Sequence, residues 1–204
     1  MHDESDAARW RPILDPVTVG ALFADYPGFW CIGGGWALDL FVGVQSRPHE
    51  DVDVIVARSE LALLRPAFPD SAFVAAHGKL TPWHEGEPYP EDAHDIWRQR
   101  RDGFFDLQLM VSEFTDTEWI FRRDGRIRGP LTEMITTTAK GLPIIAPEIQ
   151  LLYKFSPTRR PRDEQDFAQT LPHLSAYRRA WLASNLVLLY GDHAWLSMLR
   201  EPHE

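Results

Sequence analysis

At 204 residues, with 44% hydrophobic and 25% charged side chains, the chain has the composition of a globular protein with a real core, in one large domain or two small ones. Its formal net charge of -9 argues against non-specific binding to nucleic acid or anionic membrane, which needs clustered cations, and makes a neutral or cationic partner easier to accommodate. The single cysteine, Cys31, excludes an intrachain disulfide and a cysteine-based zinc cluster; in the apolar run Phe29-Trp30-Cys31-Ile32 it reads as a buried structural thiol.

Residues 1–6 are acidic and polar, unlike a secretory or transit segment, and no apolar stretch reaches membrane-spanning length, so the expected setting is the cytoplasm. Residues 17–23 predict a short helix. Residues 29–32 predict a buried strand running into Gly33-Gly34-Gly35, and residues 36–42 a helix that Gly43 stops. Strands are expected at 51–56, from β-branched content, and at 104–111, from alternation. Between them, residues 77–103 are rich in Pro, Gly, Glu and His and read as a long irregular excursion with room for one short strand. Residues 119–128 resemble a hairpin with Asp124-Gly125 as its two-residue turn. Pro147 opens a helix to about residue 155, and further helices are expected near 162–170, 176–190 and 193–199. The fold class is therefore α/β (α+β): a small mixed sheet over residues 1–145, followed by a helical bundle over 146–204, with an active site between them.

Side chains alternate across a strand, so Asp51 and Asp53 share a face while Val52, Val54 and Val56 anchor the other. Two carboxylates on one rigid edge can share a hard cation such as Mg²⁺. On the later strand, alternation puts Phe105, Leu107, Leu109 and Val111 on one face and Asp106, Gln108 and Met110 on the other. If the strands are neighbours, Asp106 joins Asp51 and Asp53, a crowding of charge that itself calls for metal. The glycine turn lets backbone N–H groups at a helix start approach phosphate oxygens. It matches neither the Walker A loop nor the Rossmann fingerprint.

The segments Gly34-Gly35-Trp36-Ala37-Leu38-Asp39 and Arg47-Pro48-His49-Glu50-Asp51-Val52-Asp53 together resemble the polymerase-beta-like nucleotidyltransferase superfamily, nearest its aminoglycoside and lincosamide branch. Residues 146–154 and 162–167 are similar, more weakly, to the helical region of relatives. The resemblance implies a nucleotidyltransferase fold in which Asp51 and Asp53 hold magnesium, Gly34 and Gly35 contact the triphosphate, and Asp106 is the third carboxylate that orients or deprotonates the attacking hydroxyl. Arg47 and Lys154 become phosphate contacts. It further implies transfer of a nucleoside monophosphate, AMP from ATP, to a hydroxyl of a small molecule, with antibiotics as the class by analogy and pyrophosphate as the other product.

Each residue also has a plainer reading. Asp51 and Asp53 alone would be a solvated strand start, and Asp106 an edge-strand carboxylate paired with Arg98, Arg100 or Arg101. His49 reads as a loop histidine shaping the Asp51 strand, and Arg122, Arg126 and Arg128 as an exposed hairpin face. The acidic and aromatic segment 83–97 is either a site for a cationic amino-sugar or a solvated loop. Two other functions stay open: a non-catalytic NTP-binding or antitoxin-like module, and a transferase acting on a protein or an RNA end.

Overall fold

The computed structural model describes residues 10–11, 14–158 and 160–201; the acidic segment 1–6 lies outside them. In chain order the elements are α1 (Pro16–Leu22), β1 (Trp30–Ile32), α2 (Gly34–Val42), β2 (Asp53–Ala57), a 3-10 turn (Arg58–Leu63), α3 (Leu64–Ala67), β3 (Ala72–Ala76), β4 (Leu80–Trp83), β5 (Asp95–Gln99) and β6 (Phe105–Ser112). There follow β7 (Glu118–Ile120), β8 (Arg128–Pro130), α4 (Leu131–Met134), β9 (Ile135–Thr137), β10 (Pro143–Ile145), α5 (Pro147–Lys154), α6 (Pro161–Thr170), a 3-10 turn (Leu171–His173), α7 (Ala176–Tyr190) and α8 (Ala194–Arg200). No described helix is long and apolar enough to cross a membrane.

Eight strands form one mixed sheet in the order β4-β3-β5-β6-β2-β1-β10-β9, while β7 and β8 pair separately. Only β1 with β10 and β2 with β6 run parallel. In the second pair Asp53 stands opposite Gln108 and Ile55 opposite Met110. Val54, Val56, Leu107, Leu109 and Val111 are all at most 2% exposed and belong to the main core, which continues through α5, α7 and α8 to Trp195.

Several expectations change at this level. The helix expected from residue 36 starts two residues earlier, at Gly34, and its stop at Gly43 has φ +87. The region 77–103 holds two strands, β4 and β5, because its β-forming residues pair against β3 and β6 despite the surrounding Pro and Gly. In the 119–128 hairpin, Asp124-Gly125 is the tip of a longer loop, closed by the Phe121 N–H donating to the Ile127 carbonyl at 2.8 Å. Asp124 instead bonds within that loop, accepting from the Arg126 N–H at 3.0 Å.

The largest departure is a bulge in β6. Arg98 stands opposite Leu107 but Gln99 stands opposite Phe105, leaving Asp106 without a partner on β5. One extra residue reverses the facing of the chain on either side of it. Leu107 accordingly enters the main core, while Phe105 turns to a second cluster with Trp97, Val74 and Ala76, packing edge-on to Trp97 at 5.2 Å. The expected continuous face Phe105-Leu107-Leu109-Val111 is thus broken at its first residue.

Candidate active site

A recess of about 540 Å³ opens where the start of β2, the glycine turn after β1, and helices α5 and α6 meet. Its lining includes Gly34, Gly35, Arg47, Asp51, Asp53 and Lys154, six of the seven residues expected from sequence. Asp53 opens β2, and Asp51, expected within that strand, lies two residues before it.

The glycine turn is locked to this strand on one side and to α5 on the other. The Gly33 N–H donates to the Asp53 carbonyl at 2.9 Å, and the Gly34 N–H donates to Gln150 Oε1 at 2.8 Å. Gly34 has φ +65, and a Cβ there would lie 2.1 Å from Asp53 Oδ2. A Cβ on Gly35 would lie 2.4 Å from Arg47 Nη2 and 2.6 Å from His49 Cε1. Both positions require glycine by contact, and Gly34 by backbone conformation as well. As the first turn of α2, Gly35 and Trp36 present N–H groups that have no intrahelical acceptor.

Charge in the recess is divided between acids on its floor and bases on its rim. Enclosure by protein, and then the neighbouring charges of Asp51 and, less, Asp95, push the Asp53 carboxyl up to about 7, against the opposing pull of Lys154 and Arg162. Asp51 is also raised, by enclosure and by Glu50, with Arg162, His49 and Arg47 working against it. Two oxygen-donor groups that resist ionising side by side are chemically suited to a hard divalent cation, which removes the repulsion. Among the described residues no third carboxylate or histidine joins them in a metal-sized group.

Lys154 and Arg47 are held in place by acids behind the recess. Lys154 Nζ lies 2.7 Å from Asp166 and 3.6 Å from Asp163, and Arg47 Nε lies 3.2 Å from Asp166. Burial opposes ionisation of Asp166, but the hydrogen bonds from Arg47 and Lys154 prevail and hold its carboxyl below the usual value. Arg122, Arg123, Arg160 and Arg162 complete the basic rim. Arg122 is exposed, as expected of the hairpin, and also lines the recess. The hairpin's docking over Tyr153 is long-range: the Arg122 N–H donates to the Tyr153 hydroxyl at 3.4 Å and Arg123 lies over its ring.

His49 is fixed. Its Nε2 lies 2.6 Å from Asp39 Oδ2, both side chains are 4% exposed, and its ring packs on Trp36 at 4.4 Å. Because Ser46 also donates its N–H to Asp39, the histidine ties the 44–50 loop to α2, the shaping part expected of it.

Asp106 is not in the recess. It is 7% exposed and makes a two-pronged ion pair with Arg98, Nε to Oδ1 at 2.8 Å and Nη2 to Oδ2, while Arg98 lies over Phe68 at 4.9 Å. It lines a different hollow, with Leu14, Thr18 and Leu22 of the α1 region, which shares no residue with the recess of Asp51 and Asp53. The bulge is the physical reason. The ion pair of the plainer reading is present, with Arg98 as the partner, but β6 lies between β5 and β2 and is not an edge strand. Gln108 stands beside Asp53 instead, and donates through Nε2 to Asp95 Oδ1 at 3.3 Å. In the 83–97 segment, Trp83 and Trp97 are buried and Tyr89 is tied to the Asp95 carbonyl, while Glu85, Glu87, Glu91 and Asp92 are exposed; none of these lines the recess.

Residues 17–81, about a third of the chain, match the pattern of the aminoglycoside-2''-adenylyltransferase family. No curated protein matches the sequence significantly. Among solved structures, the lincosamide antibiotic adenylyltransferase LnuA bound to lincomycin aligns over 78% of this chain and 96% of its own, at 16% identity and TM-score 0.54. The chain has a nucleotidyltransferase fold. The solution structure of the antibiotic-resistance factor ANT(2'')-Ia aligns over 93% and 95% of the two chains, at 13% identity and TM-score 0.54. Its crystal structure with adenylyl-2''-tobramycin aligns over 83% and 97%, at 16% identity and TM-score 0.52. The resemblance to the aminoglycoside and lincosamide nucleotidyltransferases, first carried by the motif around Gly34 and Asp51, thus extends over most of this chain.

Proposed function

We propose that this protein is a magnesium-dependent nucleotidyltransferase that moves AMP from ATP to a hydroxyl of a small molecule and releases pyrophosphate. The observation that carries the reading is the convergence of Asp51 and Asp53 with the Gly34-Gly35 turn in one recess rimmed by arginines. The hydroxyl oxygen bonds to the α-phosphorus as the bond from phosphorus to the pyrophosphate oxygen breaks, and the hydroxyl proton leaves with solvent or a nearby carboxylate. Magnesium held by Asp51 and Asp53 supplies charge neutralisation at the phosphates.

The remaining work belongs to the chain. The glycines let the triphosphate approach the free N–H groups at the start of α2, and the dipole of that helix favours the anion. Arg122, Arg123 and Arg162 offset phosphate charge from the rim, and Lys154 does so from a place fixed by Asp163 and Asp166. The part within residues 1–145 then carries the nucleotide, and α5 and α6, within 146–204, close the recess from the helical side. A cytoplasmic setting, where ATP and magnesium abound, suits this chemistry. Antibiotics of the two classes bound by the structural neighbours, lincomycin and tobramycin, are the first acceptors to try.

Incubating the protein with each of the four NTPs, Mg²⁺ and either antibiotic, and weighing the products by mass spectrometry, tests the reading. Gain of one AMP by an acceptor, lost in Asp51→Asn and Asp53→Asn, is the expected result. Undiminished transfer in either variant overturns the assignment of the two carboxylates. Gain of AMP on a protein or RNA instead would redirect it to a macromolecular acceptor.

A further inference from the structure

Asp53 has one cross-strand neighbour on its own face of the central parallel pair, and it is Gln108. Neighbouring strands lie about 4.8 Å apart, close enough for two such side chains to share one cation. The orientation of the Gln108 amide is set by chemistry. Its partner is Asp95, on β5, at 3.3 Å, and an ionised carboxylate can only accept, so the amide must turn its NH₂ towards Asp95. The amide oxygen is left facing away from Asp95, on a side chain that lines the recess with Asp51 and Asp53. Asp106, the carboxylate expected to complete that set, is committed to Arg98 on the other side of the bulge. No other carboxylate or histidine among the described residues takes its place.

We propose that the Gln108 amide oxygen, aimed by Asp95, is the third protein ligand of the divalent cation held by Asp51 and Asp53. The inference rests on the nucleotidyltransferase reading and makes this cation site two carboxylates and an amide. Mg²⁺ and Mn²⁺ accept such neutral oxygens alongside carboxylates. The site then carries one negative charge fewer than a three-carboxylate set, in a recess where Asp51 and Asp53 already oppose each other. Asp95 is a positioning residue for the amide, and its charge also bears directly on the Asp53 carboxyl.

The test is Mn²⁺ binding, measured by electron paramagnetic resonance with and without the non-transferable analogue α,β-methylene-ATP, on full-length protein whose fold is checked by circular dichroism. Gln108→Leu is expected to weaken Mn²⁺ by tenfold or more, and Gln108→Glu combined with Asp95→Asn, whose amide can donate to the new carboxylate, to restore it to wild-type strength or better. Asp95→Asn alone, whose side-chain oxygen can still accept from the Gln108 amide, should weaken it less. Asp106→Asn should leave it within twofold. Wild-type affinity in Gln108→Leu, failure of the Gln108→Glu/Asp95→Asn pair to recover binding, or loss of Mn²⁺ in a folded Asp106→Asn would overturn the proposal while leaving the nucleotidyltransferase reading in place. Absence of Mn²⁺ binding by the wild type, or its persistence in the Asp51→Asn/Asp53→Asn double variant, would instead overturn that reading and this inference with it.

Discussion

Neutralising Asp53 should stabilise the metal-free protein while destroying its site. The carboxyl is moved from 3.8 to about 7 in the folded state, chiefly by enclosure and by the charge on Asp51. Between those two values the folded chain binds a proton that the unfolded chain has released, so stability falls as pH rises through that window. At about 1.4 kcal/mol per pH unit, the loss by pH 8 approaches about 4 kcal/mol. Because the interaction is shared with Asp51 and the recess is open to water, about 2 to 4 kcal/mol is the expected range for the gain on removing it. Asp53→Asn, which has no carboxyl to ionise, should therefore be more stable than wild type by that amount in EDTA at pH 8, and by little at pH 4. Urea denaturation followed by tryptophan fluorescence at both pH values measures this directly. With Mg²⁺ and α,β-methylene-ATP the order should reverse, since only wild type gains from binding. Equal or lower stability of the variant at pH 8 in EDTA would refute the account of a recess whose charge repulsion is relieved by its cation.

Three other outcomes follow from the same geometry. Asp106→Ala leaves Arg98 buried without its partner, which should cost about 3 to 5 kcal/mol in urea denaturation; an Arg98→Met/Asp106→Leu double variant should recover much of it and keep metal-dependent nucleotide binding. Gly34→Ala places a methyl 2.1 Å from Asp53 Oδ2 at φ +65, adding about 1 to 2 kcal/mol of backbone cost to the displaced carboxylate. The thermal shift given by nucleotide and Mg²⁺ should vanish while the circular dichroism spectrum persists; an unchanged shift would contradict the close approach. Cys31 is fully buried, and burial raises its thiol pKa far above the ordinary value, so it should react with a thiol reagent only in denaturant. Rapid modification of the native protein would place it wrongly.

What the sequence made legible was local. A glycine turn before a helix, two carboxylates two residues apart at a strand start, and Pro147 opening a helix each depend on neighbours within a few positions. The glycine turn and both carboxylates were also readable together, because the turn follows β1, Asp53 opens β2, and those two strands pair antiparallel. The Asp106 placement failed because alternation assumes an unbroken ladder, and a bulge is a relation between two strands that neither one shows alone. The Arg98 at the other end of that error was visible as a candidate partner, but choosing among Arg98, Arg100 and Arg101 needed the register. Arg122 and Gln150 were hidden for a similar reason: their roles rest on contacts with Tyr153 and Gly34, 31 and 116 residues away along the chain.

The helical part of the chain is a working wall of the site and not an appended cap. Gln150 and Lys154 lie one turn apart on α5, hence on the same face. Gln150 accepts from the Gly34 N–H, fixing the turn that the proposed chemistry brings to phosphate, and Lys154 places its charge where it opposes the raised pKa of Asp53. Lys154 in turn is anchored by Asp163 and Asp166 of α6, and Asp166 also holds Arg47 from the loop before Asp51. A single chain of contacts thus runs from the glycine turn through α5 and α6 back to the strand that carries the carboxylates. Shifting α5 by even one residue would move an anchor of the turn and a compensating charge together, so both the geometry and the charge balance of the recess depend on the docking of one helix.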